Sequence, residues 1–247
     1  QMSNYFDAFR IDHILGFFRI WSIPVHAVQG IMGRFVPCLP VHINEFGEKG
    51  IWFDYQRYCR PFITDEVLTE VFGDLAERVK REFVVPNDFG GYDLEIKFET
   101  QKQVEAHFAA LEESPENIRL RDGLYDLISN VLLFDDEEIP GEHFHFRISM
   151  EKTSSFKHLI PHVQEKLKEL SIHYFFRRQD DFWFKEAMHK LPALKEATNM
   201  LVCGEDLGMV PHCVPDVMKQ LGILSLEIQR MPKDPKKEFF HPNDAHY

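Results

Sequence analysis

Two short apolar runs, far apart in the chain, each end in a carboxylate, and this pair constrains the fold more than any other feature. Residues 5–12 are aromatic and β-branched and end in Asp12, and residues 200–205 end in Glu205. Runs of this length and composition are typical of buried strands. We therefore predict two core strands with an acidic side chain at the carboxyl end of each.

A third apolar run, residues 223–229, follows a short helix that Pro215 opens and Gly222 closes. Strand, helix and strand in this order predict parallel βα units. In such units, ligand chemistry collects at the carboxyl ends of the strands. The predicted fold class is therefore α/β, and both carboxylates are placed at ends where ligands bind.

The long region between the two runs has a different pattern. Apolar residues recur there at helical spacing, and turn signals separate the helical stretches. Alternating phenylalanines near residue 146 favour one strand. We predict helices over Thr64–Glu82, with Thr64 as the N-cap, and over Thr100–Glu113, Ile118–Phe134 and Ser155–Leu170.

Charge and hydropathy exclude two classes of partner. The 247 residues carry 28 Lys and Arg against 40 Asp and Glu, a net charge of −12, and an acidic surface repels nucleic acid. The longest apolar region, residues 14–36, is interrupted by charged residues and proline, so we expect no membrane partner. Four scattered cysteines predict reduced thiols in a cytoplasmic protein.

The first candidate for chemistry is the sequence Arg10-x-Asp12-His13. In a strand, Arg10 and Asp12 lie on the same face. An arginine beside a carboxylate keeps the carboxylate ionised, and an ionised carboxylate can act as a nucleophile. A structural ion pair at a strand end is the alternative interpretation.

Glu205 is the second candidate, because a partly buried carboxyl group can serve as an acid. A carboxylate nucleophile and a carboxylic acid about 5–5.5 Å apart are what glycosyl transfer with retention requires. A competing interpretation treats Asp12, His13, Glu205 and Asp206 as ligands of a divalent metal ion. Trp21, shortly after the first motif, is either a sugar-stacking platform or a core residue.

Three segments together resemble a known enzyme family. Phe6-Asp7-Ala8-Phe9-Arg10-Ile11-Asp12-His13, then Gly16-Phe17-Phe18-Arg19-Ile20-Trp21, and Cys203-Gly204-Glu205-Asp206-Leu207-Gly208 are similar to the nucleophile and acid/base segments of glycoside hydrolase family 77. This family comprises the 4-α-glucanotransferases, also called amylomaltases or disproportionating enzymes. The long gap between the motifs resembles the long-insertion type found in plant cytosolic disproportionating enzymes.

The resemblance implies a role for each candidate residue. It implies that Asp12 is the nucleophile and Glu205 the acid/base, that Arg10 orients Asp12 and that His13 touches the sugar. Asp206 and Trp21 are expected to bind or orient substrate. The implied substrates are maltose or an α-1,4-glucan and a glucan acceptor, and no metal or organic cofactor is implied.

The resemblance also implies an architecture. We expect residues 1–36 and 179–247 to be parts of a catalytic (β/α)₈ barrel, with middle strands only, and residues 37–178 to be a mostly helical insertion. A further catalytic carboxylate is expected beyond the stretch 242–245, so the chain is expected to be an internal fragment that is inactive alone. Two other functions stay open: a non-catalytic glucan-binding or assembly fragment, and a metal-dependent barrel hydrolase.

Overall fold

The structure is a computed structural model that describes residues 2–234 and 236–244. Positions 245–247, which end the region expected to precede a further catalytic motif, therefore lie outside the described residues. The strands are β1 (Ala8–Ile11), β2 (Ile20–Ser22), β3 (Arg34–Val36), β4 (Val41–His42), β5 (Val84–Pro86), β6 (Tyr92–Leu94), β7 (Leu133–Asp135), β8 (His143–Phe146), β9 (Leu201–Gly204) and β10 (Leu224–Ser225).

Helices occupy most of the remaining regular structure. The α-helices are α1 (Ile43–Glu48), α2 (Tyr55–Cys59), α3 (Asp65–Phe72), α4 (Ala76–Glu82), α5 (Gln101–Ala109), α6 (Pro115–Ile128), α7 (Ser154–Lys157), α8 (Pro161–Phe176), α9 (Asp180–Glu196) and α10 (Val214–Leu221). Short 3-10 helices span Met2–Asn4, Ile14–Phe17, Gly30–Met32, Gly73–Leu75, Ile96–Phe98, Met150–Lys152 and Pro242–Asp244.

The chain forms two compact units. The first unit contains the residues up to 20, residues 35–39 and the residues from 175 onward, and the second contains residues 21–34 and 40–174. The second unit thus includes most of the predicted insertion together with residues 21–34, which were expected to belong with the barrel segments.

The first unit is built on a parallel sheet with the strand order β1-β9-β10. Helices α9 and α10 contribute apolar side chains to its core, including Trp183, Ala187 and Met218, which pack with Ile14 and Val202. Gly222 ends α10 in the left-handed conformation, as predicted for a helix that stops at glycine. The described residues are therefore of mixed α/β class, and they do not themselves close a barrel.

The first strand is half exposed, whereas a buried strand was predicted. Phe9 and Ile11 are partly buried, while Ala8 and Arg10 face solvent. The physical reason is that β1 pairs only with β9 within the described part of the chain. The third predicted strand is also shorter than expected, because only Leu224–Ser225 pairs with β9.

The second unit has more sheet than the single strand that was predicted for it. An antiparallel sheet has the order β4-β8-β7, and β5 and β6 form a hairpin. Its main core lies between α3, α4, α5 and α6, with Leu68, Phe72, Val79, Leu120 and Leu124 almost fully buried. The region is still mostly helical.

Several predicted helices have different ends. Thr64 is confirmed as an N-cap, since its Oγ1 accepts the Val67 N–H at 3.3 Å. The helix predicted to run to residue 82 breaks at Gly73, which has φ 57°. The helix predicted to run to Phe134 ends at Ile128, and Phe134 lies in β7. The helix predicted over 155–170 is two helices, because Pro161 starts a new one.

Among the described residues, no helix is both long and apolar enough to cross a bilayer. All four cysteines are free thiols. Burial raises the pKa of the Cys213 thiol to about 11, so this thiol is protonated at neutral pH.

Candidate active site

The parallel pairing of β1 and β9 brings the two predicted carboxylates together. Arg10 is in register with Cys203, and Ile11 with Gly204, so Asp12 and Glu205 both follow the carboxyl ends of adjacent strands. Two backbone hydrogen bonds extend the pairing past the strand ends. The Glu205 N–H donates to the Ile11 carbonyl at 2.9 Å, and the Ile14 N–H donates to the Glu205 carbonyl at 3.0 Å.

The two carboxylates have different environments. The Asp12 side chain is 67% exposed, and its Oδ1 lies 3.5 Å from Arg10 Nη2. The Glu205 side chain is only 12% exposed. One carboxylate oxygen of each residue lies within 4.8 Å of the other. An accessible carboxylate beside an arginine thus faces a mostly buried carboxyl group across a short gap.

Backbone N–H groups fix the Glu205 carboxylate. Its Oε2 accepts the His13 N–H at 3.1 Å, and its Oε1 accepts the Leu207 N–H at 3.0 Å. Two oxygens held by two separate backbone donors leave the carboxylate little freedom to rotate. The orientation of Glu205 is therefore set by the main chain on both sides of the site.

His13 joins the two acidic residues. Its backbone is left-handed, with φ 52° and ψ 53°, which is uncommon for residues other than glycine, although histidine, asparagine and aspartate adopt it more often than other types. This conformation directs the N–H toward Glu205, while the ring lies 3.3 Å from Glu205 Oε2 and 3.8 Å from Asp12 Oδ2. The ring is 86% exposed and is accessible to a ligand.

The strand end beneath the site has no room for a side chain at position 204. A Cβ atom on Gly204 would lie 2.6 Å from the Ile14 Cδ1 and 3.1 Å from the Met218 Cε. Both Ile14 and Met218 are fully buried. The glycine therefore allows the core to reach directly under the residue that precedes Glu205.

Asp206 is the centre of a polar network. Its side chain is 4% exposed, and it accepts hydrogen bonds from the Ser225 hydroxyl at 3.0 Å, the Leu226 N–H at 3.1 Å and the Lys233 ammonium at 2.7 Å. These contacts join the residue after Glu205 to β10 and to the segment beyond it. The sequence predicts that Asp206 binds or orients substrate, and the structure places its carboxylate against protein donors.

The network contains three residues that were not predicted as site residues from the sequence: Ser225, Glu227 and Lys233. Lys233 also lies 3.5 Å from Glu227 Oε1. Glu227 Oε2 is buried, and no hydrogen-bond partner for it is present in the described part of the chain. Ser225 and Glu227 share one face of the predicted third strand, so a pair of polar residues on an apolar run was the available signal.

A cavity of about 710 Å³ opens beside this network. Its volume is within the range for small-molecule sites. Its lining includes Asp206, Gly208, His212, Glu227, Met231 and Lys233. The loop that leads into it is held by Arg19, which donates to the Met209 carbonyl and lies 3.6 Å from the Phe35 ring centroid. Burial lowers the pKa of Arg19 to about 10, so the guanidinium is charged at neutral pH.

The first unit therefore brings together Arg10, Asp12, His13, Glu205 and Asp206. Trp21 belongs to the second unit. Its indole N–H donates to the Gly30 carbonyl at 3.0 Å, and the side chain is partly buried. That contact holds Trp21 in the second unit and does not itself indicate a sugar-binding role.

One ligand set for a metal ion can be formed from the same residues. Asp12, His13 and Glu205 each present a ligand atom within 4.8 Å of the others. Mixed imidazole and carboxylate sets bind several divalent ions. The geometry is thus compatible with two chemistries, carboxylate nucleophilic catalysis and metal-assisted hydrolysis.

Comparison with known proteins connects this chain to one enzyme family. The family model described as 4-alpha-glucanotransferase, for glycoside hydrolase family 77, matches residues 1–247. The chain is 39% identical over 254 residues to 4-alpha-glucanotransferase DPE2 of Oryza sativa subsp. japonica, and the alignment covers 100% of this chain. It spans only 26% of the length of that relative. No solved structure matches the chain.

Proposed function

Since this chain belongs to glycoside hydrolase family 77, the 4-alpha-glucanotransferases, we propose that the protein containing it transfers glucosyl or glucan units from maltose or an α-1,4-glucan to a glucan acceptor. One observation carries the proposal. The carboxylates of Asp12 and Glu205 approach within 4.8 Å at the carboxyl ends of adjacent parallel strands. That spacing supports a retaining mechanism, for which carboxyl groups about 5–5.5 Å apart are typical.

In the first half of the proposed reaction, Asp12 is the nucleophile. One of its oxygens attacks the anomeric carbon of the donor, the glycosidic C–O bond breaks, and the Glu205 carboxyl group protonates the leaving oxygen. The product is a glycosyl ester on Asp12. Its 67% exposure leaves the Asp12 side chain reachable by a sugar, and Arg10 at 3.5 Å orients it.

In the second half, Glu205 acts as a base. It takes the proton of an acceptor hydroxyl, whose oxygen attacks the anomeric carbon and releases Asp12 as a carboxylate. Two inversions give net retention. The backbone N–H groups of His13 and Leu207 hold Glu205 in one orientation for both steps. His13, with an exposed ring between the two carboxylates, would contact the sugar.

The architecture that we propose extends beyond the described residues. The strands β1, β9 and β10 would be middle strands of a (β/α)₈ barrel, and α9 and α10 would be two of its helices. The region 37–178 would be an insertion between the nucleophile strand and the acid/base strand. The chain alone would be inactive, since it holds part of the barrel. Four free cysteines support a cytoplasmic location.

The test uses the full-length protein incubated with maltose. We expect free glucose and longer glucans, with retained anomeric configuration, and we expect Asp12→Asn to abolish both products. Asp7→Asn is the matched control, because Asp7 is an exposed carboxylate five residues earlier along the same segment. Unchanged products from Asp12→Asn would remove Asp12 from the mechanism.

The metal-binding geometry gives a second candidate function, a metal-dependent barrel hydrolase that uses Asp12, His13 and Glu205. Activity in excess EDTA distinguishes the glucanotransferase from the metal-dependent hydrolase. A glucanotransferase of the proposed kind keeps its activity, whereas a metal-dependent hydrolase loses it and recovers on addition of a divalent ion.

A further inference from the structure

A second cavity lies in the second unit, and the proposed chemistry does not use it. Its volume is about 310 Å³, at the lower end of the range for small-ligand sites. Part of its lining comes from α2 and the segment after it, with Gln56, Arg60 and Phe62. Another part comes from the turn between β5 and β6, with Asn87 and Phe89.

Phe89 is the most unusual residue of this cavity, because it is a large apolar residue that is 74% exposed. The turn that carries it is held firmly. Asn87 Oδ1 accepts the N–H groups of Phe89 and Gly91, both at 3.0 Å, and the Asn87 amide donates to Asp93 at 3.1 Å. A ring on an ordered turn loses little conformational entropy when a ligand covers it.

Polar side chains from α2 and the residue after it are available for a ligand. Within the part of the chain that the structure describes, Gln56 and Arg60 form no side-chain hydrogen bond or ion pair, and the Arg60 guanidinium lies 5.7 Å from the Tyr55 ring centroid. Arg57 differs, because its guanidinium donates to Ser155 and lies 3.9 Å from the Phe62 ring centroid. Arg60 and Gln56 thus contribute planar hydrogen-bonding groups to the same cavity as the exposed Phe89.

The charges of this cavity select the chemical class of the ligand. Asp54 and Asp93 also line it and balance the charges of Arg57 and Arg60, and the whole chain has a net charge of −12, so the cavity has no excess positive charge to attract a phosphorylated or other strongly anionic ligand. An apolar ring with a few convergent polar groups suits an uncharged ligand that has both a flat apolar face and hydroxyl groups. A glucose unit has both properties.

We propose that this cavity is an accessory site that holds one segment of an α-glucan polymer, with a sugar face against Phe89 and hydroxyls bonded to Arg60 and Gln56. The proposal rests on the proposed function only for the identity of the sugar. The site would retain a polymeric substrate on the second unit, so it acts on binding of the polymer and leaves the chemical step unchanged.

The experiment compares Phe89→Ala and Arg60→Ala with Ile96→Ala in the full-length protein. Ile96 is 79% exposed and does not line the cavity, so it controls for loss of an exposed apolar side chain. Binding is measured by native gel electrophoresis in gels containing glycogen, which needs no activity. Kinetics are measured with maltose as donor and either glycogen or isotopically labelled glucose as acceptor, since the label makes the exchange of glucose into maltose measurable.

We expect each cavity variant to bind glycogen about tenfold more weakly, as the loss of a ring contact or of a hydrogen bond to a charged group implies. The half-saturating glycogen concentration should rise by a similar factor, while the value for glucose and kcat stay unchanged. Ile96→Ala should match the wild type in every assay.

Three results would overturn the accessory site. The first is unchanged glycogen binding by the cavity variants, and the second is an equal rise in the half-saturating concentration of glucose. The third is a lower unfolding temperature for Phe89→Ala than for Ile96→Ala, because the Phe89 ring would then be buried against another part of the polypeptide. Absence of any transfer from maltose would instead refute the proposed function, and the gel assay would still decide whether the cavity binds glucan.

Discussion

We expect Gly204→Ala to lower activity, because the added methyl group displaces core side chains that pack against the active-site strand. A Cβ at this position would lie 2.6 Å from the Ile14 Cδ1. Because carbon atoms that are not bonded to each other approach to about 3.5 Å, roughly 0.9 Å of movement is needed to admit the methyl group. Ile14 is fully buried, so its side chain cannot move into solvent.

A movement of Ile14 would also displace the residues that carry the two carboxylates. Ile14 follows His13, and its N–H donates to the Glu205 carbonyl at 3.0 Å. Overpacking a core in this way costs about 1–3 kcal/mol of stability. A displacement of about 1 Å between reacting groups can lower the rate about 100-fold. We therefore expect kcat to fall by about that factor, with a smaller effect on KM.

The assay measures transfer from maltose and the unfolding temperature of the full-length protein. Gly16→Ala is the matched control, because the same methyl group at position 16 meets nothing within 4 Å among the described residues. A Gly204→Ala enzyme with wild-type kcat and wild-type unfolding temperature would refute the coupling between the core and the site. Equal losses in both variants would also contradict it.

Two further predictions concern buried polar groups. Lys233→Met should destabilise the protein by about 1.5 kcal/mol, since it removes a charge-assisted hydrogen bond and leaves Asp206, 4% exposed, with fewer donors. Urea denaturation checks this, with the exposed Lys236→Met expected to match the wild type. Burial lowers the pKa of His145 below its ordinary 6.5, so the unfolded chain binds a proton that the folded chain does not, and stability should fall as the pH decreases below about 6.5. Melting curves between pH 7.5 and 5.5 should show a smaller change for His145→Gln, and an identical slope would contradict this assignment.

Local patterns were enough to predict the carboxylates at the strand ends. Each run has the composition of a strand, and each is followed by an acidic residue, so Asp12 and Glu205 could be placed without knowing the pairing. Their closeness depends on the register of Arg10 with Cys203, which is set by packing of the whole first unit. Sequence spacing carries no information on such long-range pairing, so convergence stayed a prediction until the sheet was known.

Helix ends were predicted less well, because contacts between segments decide them. Apolar spacing alone predicts that α6 continues to Phe134, but the helix ends at Ile128, with Ser129 as its C-cap. The Asn130 amide donates to the Phe62 carbonyl at 2.7 Å, and its own carbonyl accepts the Phe62 N–H at 3.1 Å. A partner 68 residues away thus ends the helix. Helix α9 was not predicted, and Pro192 inside it interrupts the usual pattern of a helix.

The way residues 21–34 join the second unit matters for anyone who engineers this protein. Gln101, fully buried, accepts the N–H groups of Val28 and Gln29 at 2.8 and 2.9 Å, and Met32 packs in the same core. The second unit is consequently built from two separate stretches of polypeptide, residues 21–34 and 40–174. Excising residues 40–174 alone would leave Met32 and its neighbours in a loop without the core in which they pack, whereas a design that also replaces 21–34 with a short connector removes the whole second unit.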